Sequence, residues 1–219
     1  MGKAIDLLKN YPKAKRDLSA RLEQKSEKDR VIARKFSKDF FDGERKHGYG
    51  GFKYNPRFWQ PVIPTFKEHW SLNNQSKILD VGCGKGFMMH DLSEAIPEID
   101  VRGIDISSYA ISNCIETVKD KVSVADAKEL PFDDNSFDVV ISINTIHNLV
   151  EDDCAKAIKE IERVSRKHSF ITVDAYRNEA EKERMYAWNL TAKTIMSVEE
   201  WIKFFSDNDY NGDYYWFIP

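Results

Sequence analysis

Between residues 77 and 175, short apolar segments alternate with segments of helical periodicity, and this alternation most limits the folds open to the chain. Five apolar stretches have the length and composition of strands: 78–81, 101–104, 122–124, 137–143 and 169–173. The segments between them place apolar side chains on one helical face, at 87–96, 108–118 and 152–164. Because this alternation is typical of parallel strands with helices on both faces, it predicts an α/β fold with a mostly parallel sheet.

The first predicted strand leads directly into a glycine-rich turn. Residues 78–87 read Ile-Leu-Asp-Val-Gly-Cys-Gly-Lys-Gly-Phe, and a helix is predicted to begin where the glycines end. In open parallel sheets, ligands bind beyond the carboxyl ends of strands, where glycines let backbone amides approach them closely. The string therefore predicts a ligand site formed by Asp80, Gly82, Cys83, Gly84 and Gly86.

The spacing of these glycines differs from that of a dinucleotide site. A dinucleotide fingerprint reads G-x-G-x-x-G, whereas here Phe87 stands where the third glycine would fall. The carboxylate of Asp80 is unfavourable beside a pyrophosphate and suits a ligand with a positive group, such as the α-ammonium of a methionine moiety. A nicotinamide-dependent oxidoreductase is therefore disfavoured.

The string D-V-G-C-G-K-G at 80–86 closely resembles the first motif of the class I S-adenosylmethionine-dependent methyltransferases, and the resemblance extends over residues 74–175. It implies a Rossmann-like fold and direct methyl transfer from S-adenosylmethionine to an oxygen or nitrogen, with S-adenosylhomocysteine as the product. Relatives usually end in an antiparallel hairpin, whereas here only residues 213–218 have a strand pattern before the last residue. The final strand is therefore expected to be missing or supplied differently.

The same resemblance assigns cofactor contacts to residues that follow the second, third and fourth strands. It implies that Asp105 accepts the ribose hydroxyls and that Ile106 packs on the adenine. It further implies that Asp126 meets the adenine amino group and that Ala127 supplies backbone. Asn144 and Thr145 are expected to line the pocket beside the transferable methyl group.

Candidates for the acceptor side come from three places in the sequence. His147 lies just past the fourth strand, where an imidazole could act as a general base or could have a structural, pocket-lining role. The aromatic loop before the fold supplies Tyr49, Tyr54 and Arg57, and it could equally anchor the front of the chain. Tyr176 and Arg177 begin a second candidate segment, for which a solvated surface helix is the alternative.

The charge is divided unequally along the chain. The front segment, residues 1–46, holds 14 Lys and Arg against 8 Asp and Glu, whereas the whole chain has a formal net charge of −3. We expect residues 1–70 to form a helical cover with an aromatic, glycine-rich loop, and residues 71–219 to form the methyltransferase domain. The basic residues indicate a solvated helix face, or else a lid or partner surface.

Composition narrows the remaining possibilities. A chain of 219 residues with 42% hydrophobic residues can bury a core, and its three cysteines show no disulfide or zinc spacing. No apolar run is long enough for a membrane span, so we expect a cytoplasmic protein that requires no metal. The expected acceptor is a small polar metabolite, such as a sugar or sugar-nucleotide, and the expected state is a monomer or homodimer. Two alternatives remain: RNA docking through the front segment, and a cofactor-binding protein without catalysis.

Overall fold

A seven-stranded sheet organises the fold in a computed structural model, which describes residues 2–12, 26–48 and 53–219. The strands are β1 (Lys77–Val81), β2 (Asp100–Asp105), β3 (Val122–Val124), β4 (Phe137–Ile143), β5 (Ser165–Tyr176), β6 (Met196–Ser197) and β7 (Asp213–Phe217). Their spatial order begins β3-β2-β1-β4-β5, and all of these named strands pair in parallel. The predicted α/β fold with a parallel sheet is confirmed.

The last two strands differ from the family's usual antiparallel hairpin. Both β6 and β7 pair in parallel with β5, β7 along residues 170–174 and β6 along residues 175–176. The beginning of the chain then pairs with β7, since the amide of Ile5 donates to the Tyr214 carbonyl at 2.9 Å and the amide of Tyr214 donates to the Lys3 carbonyl at 3.0 Å. Residues near the N-terminus thus cover the outer edge of β7.

Helices flank the sheet and connect its strands. They are α1 (Glu27–Ala33), α2 (Lys38–Asp42), α3 (Ile63–His69), α4 (Phe87–Ala95), α5 (Ser108–Ser112), α6 (Glu151–Val164), α7 (Glu179–Trp188) and α8 (Val198–Asp207). Capping boxes at Ser26 and Ser197 begin α1 and α8, as their sequences predict. Short 3₁₀ helices occupy Arg45–His47, Glu116–Lys121 and Ile146–Asn148.

The helix predicted over residues 108–118 ends early. The α-helical part stops at Ser112, and Ile115 is extended before the 3₁₀ helix Glu116–Lys121. The amide of Ile115 donates to the Lys85 carbonyl at 2.9 Å, so a tertiary hydrogen bond replaces the intrahelical one. The chain here is bound to the glycine-rich turn.

Two buried clusters, one on each face of the sheet, form the core. One contains Ile158 of α6 and Trp201 and Phe205 of α8. The other contains Leu92 of α4 together with residues from before the sheet, including Phe66 and Leu7, which is only 2% exposed. The early part of the chain therefore packs into the same core as the sheet, and the proposed division at residue 70 stays a prediction.

Candidate cofactor site

The glycine loop, residues 82–86, connects β1 to α4 in a tightly fixed shape. The amides of Gly82 and Cys83 both donate to the Ile104 carbonyl of β2, at 2.8 and 2.9 Å. Gly82, Gly84 and Gly86 have φ angles of +86°, +55° and +75°, which favour glycine. A Cβ at Gly82 would also overlap the Thr145 side chain, so the predicted loop residue and the residue after β4 lie in contact.

Two carboxylates lie at the carboxyl ends of β1 and β2, as the sequence predicts. Asp80 is 5% exposed and Asp105 is 8% exposed. Asp105 accepts hydrogen bonds from the amides of Gly84 and Ser107, each at 2.8 Å, which lower its pKa while burial raises it more strongly. Burial, with the neighbouring charge of Asp105, raises the pKa of Asp80 to about 8. A bound cation would therefore be stabilised by ionised Asp80.

A pocket of about 190 Å³ opens beside these groups. Its lining residues come from the glycine loop, the strand ends and the front of the chain: Phe40, Phe41, Trp59, Asp80, Gly82, Cys83, Gly84, Lys85, Phe87, Met88 and Ile143. The sequence interpretation missed the roles of Phe40, Phe41 and Trp59. Two adjacent aromatic residues on a short helix were the available signal, because both cannot point into the same core.

An exposed apolar ledge follows the ends of β2 and β3. Ile106 is 55% exposed and Val124 is 52% exposed, and β2 and β3 pair in the register Asp105 to Val124. Ala127 is buried nearby in sequence, and Asp126 accepts a hydrogen bond from the Lys128 amide at 3.0 Å. An apolar surface beside ribose-binding and amide groups fits a flat heteroaromatic ring.

Asn144 and Thr145 follow β4, where the sequence places them. Asn144 has a φ of +53°, an unusual conformation for a side-chain-bearing residue. Its amide donates to the Thr172 carbonyl at 3.0 Å, and its side-chain oxygen accepts from the Thr172 hydroxyl at 3.0 Å. Strand β5 thus holds Asn144 in place, while Thr145 contacts the glycine loop.

His147 is buried, with 3% of its surface exposed. Its Nδ1 accepts a hydrogen bond from the Asp174 amide at 3.1 Å, and its Nε2 lies 3.6 Å from the Asp174 carboxylate. Burial lowers the pKa of His147, and the charge of Asp174 opposes that shift. Because both ring nitrogens face Asp174, the geometry favours a positioning role; the proton-transfer role stays a prediction.

The side chains predicted for the acceptor side are engaged elsewhere on the surface. Tyr54 donates to Asp91 of α4 at 2.6 Å, and Arg57 stacks 4.7 Å from the Phe58 ring centroid. Arg177 pairs with Glu181 at 2.9 Å, and the Tyr176 hydroxyl donates to Glu200 at 3.4 Å.

None of these four residues lines the glycine-loop pocket. Tyr49 lies outside the described residues. The acceptor roles of all five residues stay predictions.

Within residues 2–12, 26–48 and 53–219, no group of three or more His, Cys, Asp or Glu side chains is placed to hold a metal ion. In the same ranges, no helix combines the length and the apolar character that crossing a membrane requires.

Comparison with known proteins agrees with the geometry. Residues 79–173 match a family model described as a methyltransferase domain. The chain is 35% identical over 146 residues to the tRNA (carboxymethyluridine(34)-5-O)-methyltransferase of Arabidopsis thaliana, a match covering 65% of this chain and 33% of that protein. It is 40% identical over 98 residues to the demethylmenaquinone methyltransferase of Staphylococcus aureus (strain JH9), covering 41% and 38% of the two chains.

These curated relatives are matched over well under half of their own length. Among solved structures, geranyl diphosphate methyltransferase in complex with S-adenosylmethionine has a TM-score of 0.56 at 14% identity, covering 69% of this chain and 65% of that one. This likeness shows a shared fold.

Proposed function

Because this chain belongs to the class I S-adenosylmethionine-dependent methyltransferases through residues 79–173, we propose that it transfers a methyl group from that cofactor to an oxygen or nitrogen of a small polar metabolite. The observation that carries the proposal is the glycine-loop pocket, which brings Asp80 and Gly84 together beside Asp105. S-adenosylhomocysteine is then the second product. A cytoplasmic location and a monomeric or homodimeric state accompany the proposal.

The residues present fit this cofactor. Asp80 makes no hydrogen bond to another described residue, so its buried carboxylate is available for the α-ammonium group. Asp105 uses its oxygens for two amides and retains lone pairs for the ribose hydroxyls. Ile106 and Val124 supply an apolar surface for the adenine.

When bound, the cofactor supplies an electrophilic methyl group on a sulfonium. The protein's part is therefore to position the acceptor in line, exclude water and manage one proton. The aromatic faces of Phe40, Phe41 and Trp59 exclude water from the pocket and are compatible with positive charge. Asn144 and Thr145 are placed to limit the approach of the acceptor.

A small acceptor fits the charge distribution. The front segment is basic, so the rest of the chain, which carries the pocket, is acidic. An acidic surface disfavours polyanions and is compatible with neutral, polar metabolites such as a sugar. Among the relatives, the demethylmenaquinone methyltransferase is named for a small acceptor.

The first test is a binding comparison by titration calorimetry of S-adenosylhomocysteine and NAD. We expect S-adenosylhomocysteine alone to bind, and Asp105→Ala to weaken its binding by removing the ribose acceptor. Binding of NAD alone would overturn the proposal. A screen of acceptors with methyl-labelled cofactor then tests the substrate class. Tight cofactor binding with no transfer to any acceptor would favour a cofactor-binding protein without catalysis.

RNA is the second candidate acceptor, and two observations favour it. The front segment has an excess of six positive charges, and one relative is named as a tRNA methyltransferase. Labelled transfer to tRNA, with none to small molecules, would decide for this candidate.

A further inference from the structure

The residues over the glycine loop form one connected unit, which we call the cover, residues 26–48. Asp29 of α1 accepts hydrogen bonds from the amide and hydroxyl of Ser26, at 2.8 and 2.6 Å. Its other oxygen lies 3.1 Å from Nε2 of His47, and both Asp29 and His47 are 8% exposed. This buried pair ties the end of the cover to its beginning.

One side of the cover is fastened to the cofactor site through Asp42, the last residue of α2. Nζ of Lys85, in the glycine loop, lies 2.6 Å from both oxygens of the Asp42 carboxylate. The Tyr109 hydroxyl donates to the same carboxylate at 2.7 Å. The Ser107 hydroxyl donates to the Phe36 carbonyl, so the cover also contacts the turn that follows β2.

The other side of the cover contacts the segment after α7. Nε of Arg30 donates to the Asn189 carbonyl at 3.5 Å, and the Arg34 guanidinium donates to the Ala192 carbonyl at 3.4 Å. The amides of Lys193 and Thr194 in that segment donate to the His147 carbonyl. The cover therefore extends from the glycine loop to residues that support the end of β4.

The pocket under the cover is small for its proposed ligand. Its volume is about 190 Å³, whereas sites for small molecules and cofactors usually measure about 300–1,000 Å³. Phe40 and Phe41 of the cover form part of its wall, next to Asp42. The cofactor can be admitted only if this wall shifts, and the Asp42 contacts oppose that shift.

We propose that Asp42 is a positioning residue of the cofactor site, which acts through Lys85 and Tyr109 to set how tightly and for how long the cofactor is held. The inference rests on the proposed function, since it assumes that S-adenosylmethionine occupies this pocket. Asp42 itself need not touch the cofactor. Its two partners place the aromatic wall, and loss of either contact allows the wall to move.

The test measures the binding and dissociation rates of S-adenosylhomocysteine by stopped-flow tryptophan fluorescence. For Asp42→Asn we expect dissociation to accelerate by roughly tenfold, as for loss of a charge-assisted hydrogen bond. The KM for S-adenosylmethionine should rise by a similar factor while kcat changes little, and Asp42→Glu should restore much of the affinity. The matched control is Glu44→Gln, which removes an exposed pair with Lys46 (3.3 Å) on the same segment.

The outcomes separate this inference from the proposed function. If Asp42→Asn binds and releases S-adenosylhomocysteine at wild-type rates, the positioning role is wrong and the proposed function stands. If the wild-type protein does not bind S-adenosylhomocysteine, both fail. Should Asp42→Asn not fold, Tyr109→Phe removes one donor to the same carboxylate, and we expect it to accelerate dissociation by about threefold; wild-type rates for Tyr109→Phe would then overturn the positioning role.

Discussion

Asp80 combines burial with a pKa of about 8, and this combination predicts a pH-dependent affinity for the cofactor. Below that pH the unliganded protein holds Asp80 protonated, whereas a neighbouring ammonium favours the ionised form. Binding must then release a proton, so affinity for S-adenosylhomocysteine should rise with pH towards about 8, by at most about tenfold per pH unit. Titration calorimetry in buffers of different ionisation enthalpy would measure both the affinity and the released proton.

The Asp80→Asn variant is the control for this pH dependence. It removes the titrating group, so its weaker binding should be nearly independent of pH over the same range. Equal wild-type affinities at acidic pH and at about pH 8 would contradict the role given to Asp80.

Gly82 and Gly84 form a matched pair, because both have positive φ angles but differ in surrounding space. A Cβ at Gly82 overlaps Thr145, whereas at Gly84 the nearest atom belongs to Phe41 at 3.6 Å. Alanine in the left-handed conformation costs roughly 1–2 kcal/mol at either position. Gly82→Ala should cost about 1–3 kcal/mol more, as for an overpacked site. Urea unfolding of both variants measures the difference, and equal losses would show that Thr145 moves freely aside.

The single residues at the end of β1 could be predicted because they share one short string. Asp80 and the three glycines follow from the local pattern of a strand, a tight turn and a helix. Phe40, Phe41 and Trp59 could not, because they meet the pocket from segments some 20 to 40 positions earlier. Their contribution depends on how the cover docks, which no local pattern specifies.

At the level of elements, the 3₁₀ helix Ile146–Asn148 and strand β5 are joined through His147 and Asp174. Burial lowers the pKa of His147, so below its ordinary value of 6.5 the unfolded chain binds a proton that the folded chain resists. The free energy of unfolding should therefore fall as the pH drops below 6.5, by up to about 1.4 kcal/mol per pH unit. Urea unfolding at successive pH values measures this slope.

His147→Gln should flatten that slope, because it removes the titrating group and keeps a side chain able to accept from the Asp174 amide. His168→Gln, at an exposed position, should retain the wild-type slope. The same His147 variant tests proton transfer. A large loss of kcat with normal cofactor binding and stability would favour the general-base role over the positioning role.

The elements themselves were predictable where apolar periodicity is strong and local. Strands β1, β2 and β4 and helices α4 and α6 begin or end within one residue of the predicted bounds. The prediction over residues 108–118 was wrong because the Ile115 amide bonds to Lys85, a contact that periodicity cannot reveal. Strand β5 extends beyond its apolar centre because β4 and β7 pair with its flanks.

For the molecule as a whole, alternation predicted the layers but not how the sheet ends. Nothing in residues 213–218 indicates a parallel partner, and nothing in residues 3–5 indicates that they cover β7. Leu7 packs into the core beside Phe66, so the front of the chain is part of the fold as well as a carrier of charge. Removing residues 1–46 would consequently test stability rather than RNA binding.

Charge substitution on the cover separates the two candidate acceptors without that damage. Lys28, Lys35, Lys38 and Lys46 are exposed, and changing all four to Gln should leave methylation of a small acceptor unchanged. If RNA docks there instead, the same variant should bind RNA more weakly, and its dependence of log affinity on log salt should be shallower by about 0.7 per lost phosphate contact. The matched control changes the four residues to Arg and keeps the charge. Salt-dependent RNA binding lost with Gln and kept with Arg would overturn the small-metabolite proposal in favour of RNA.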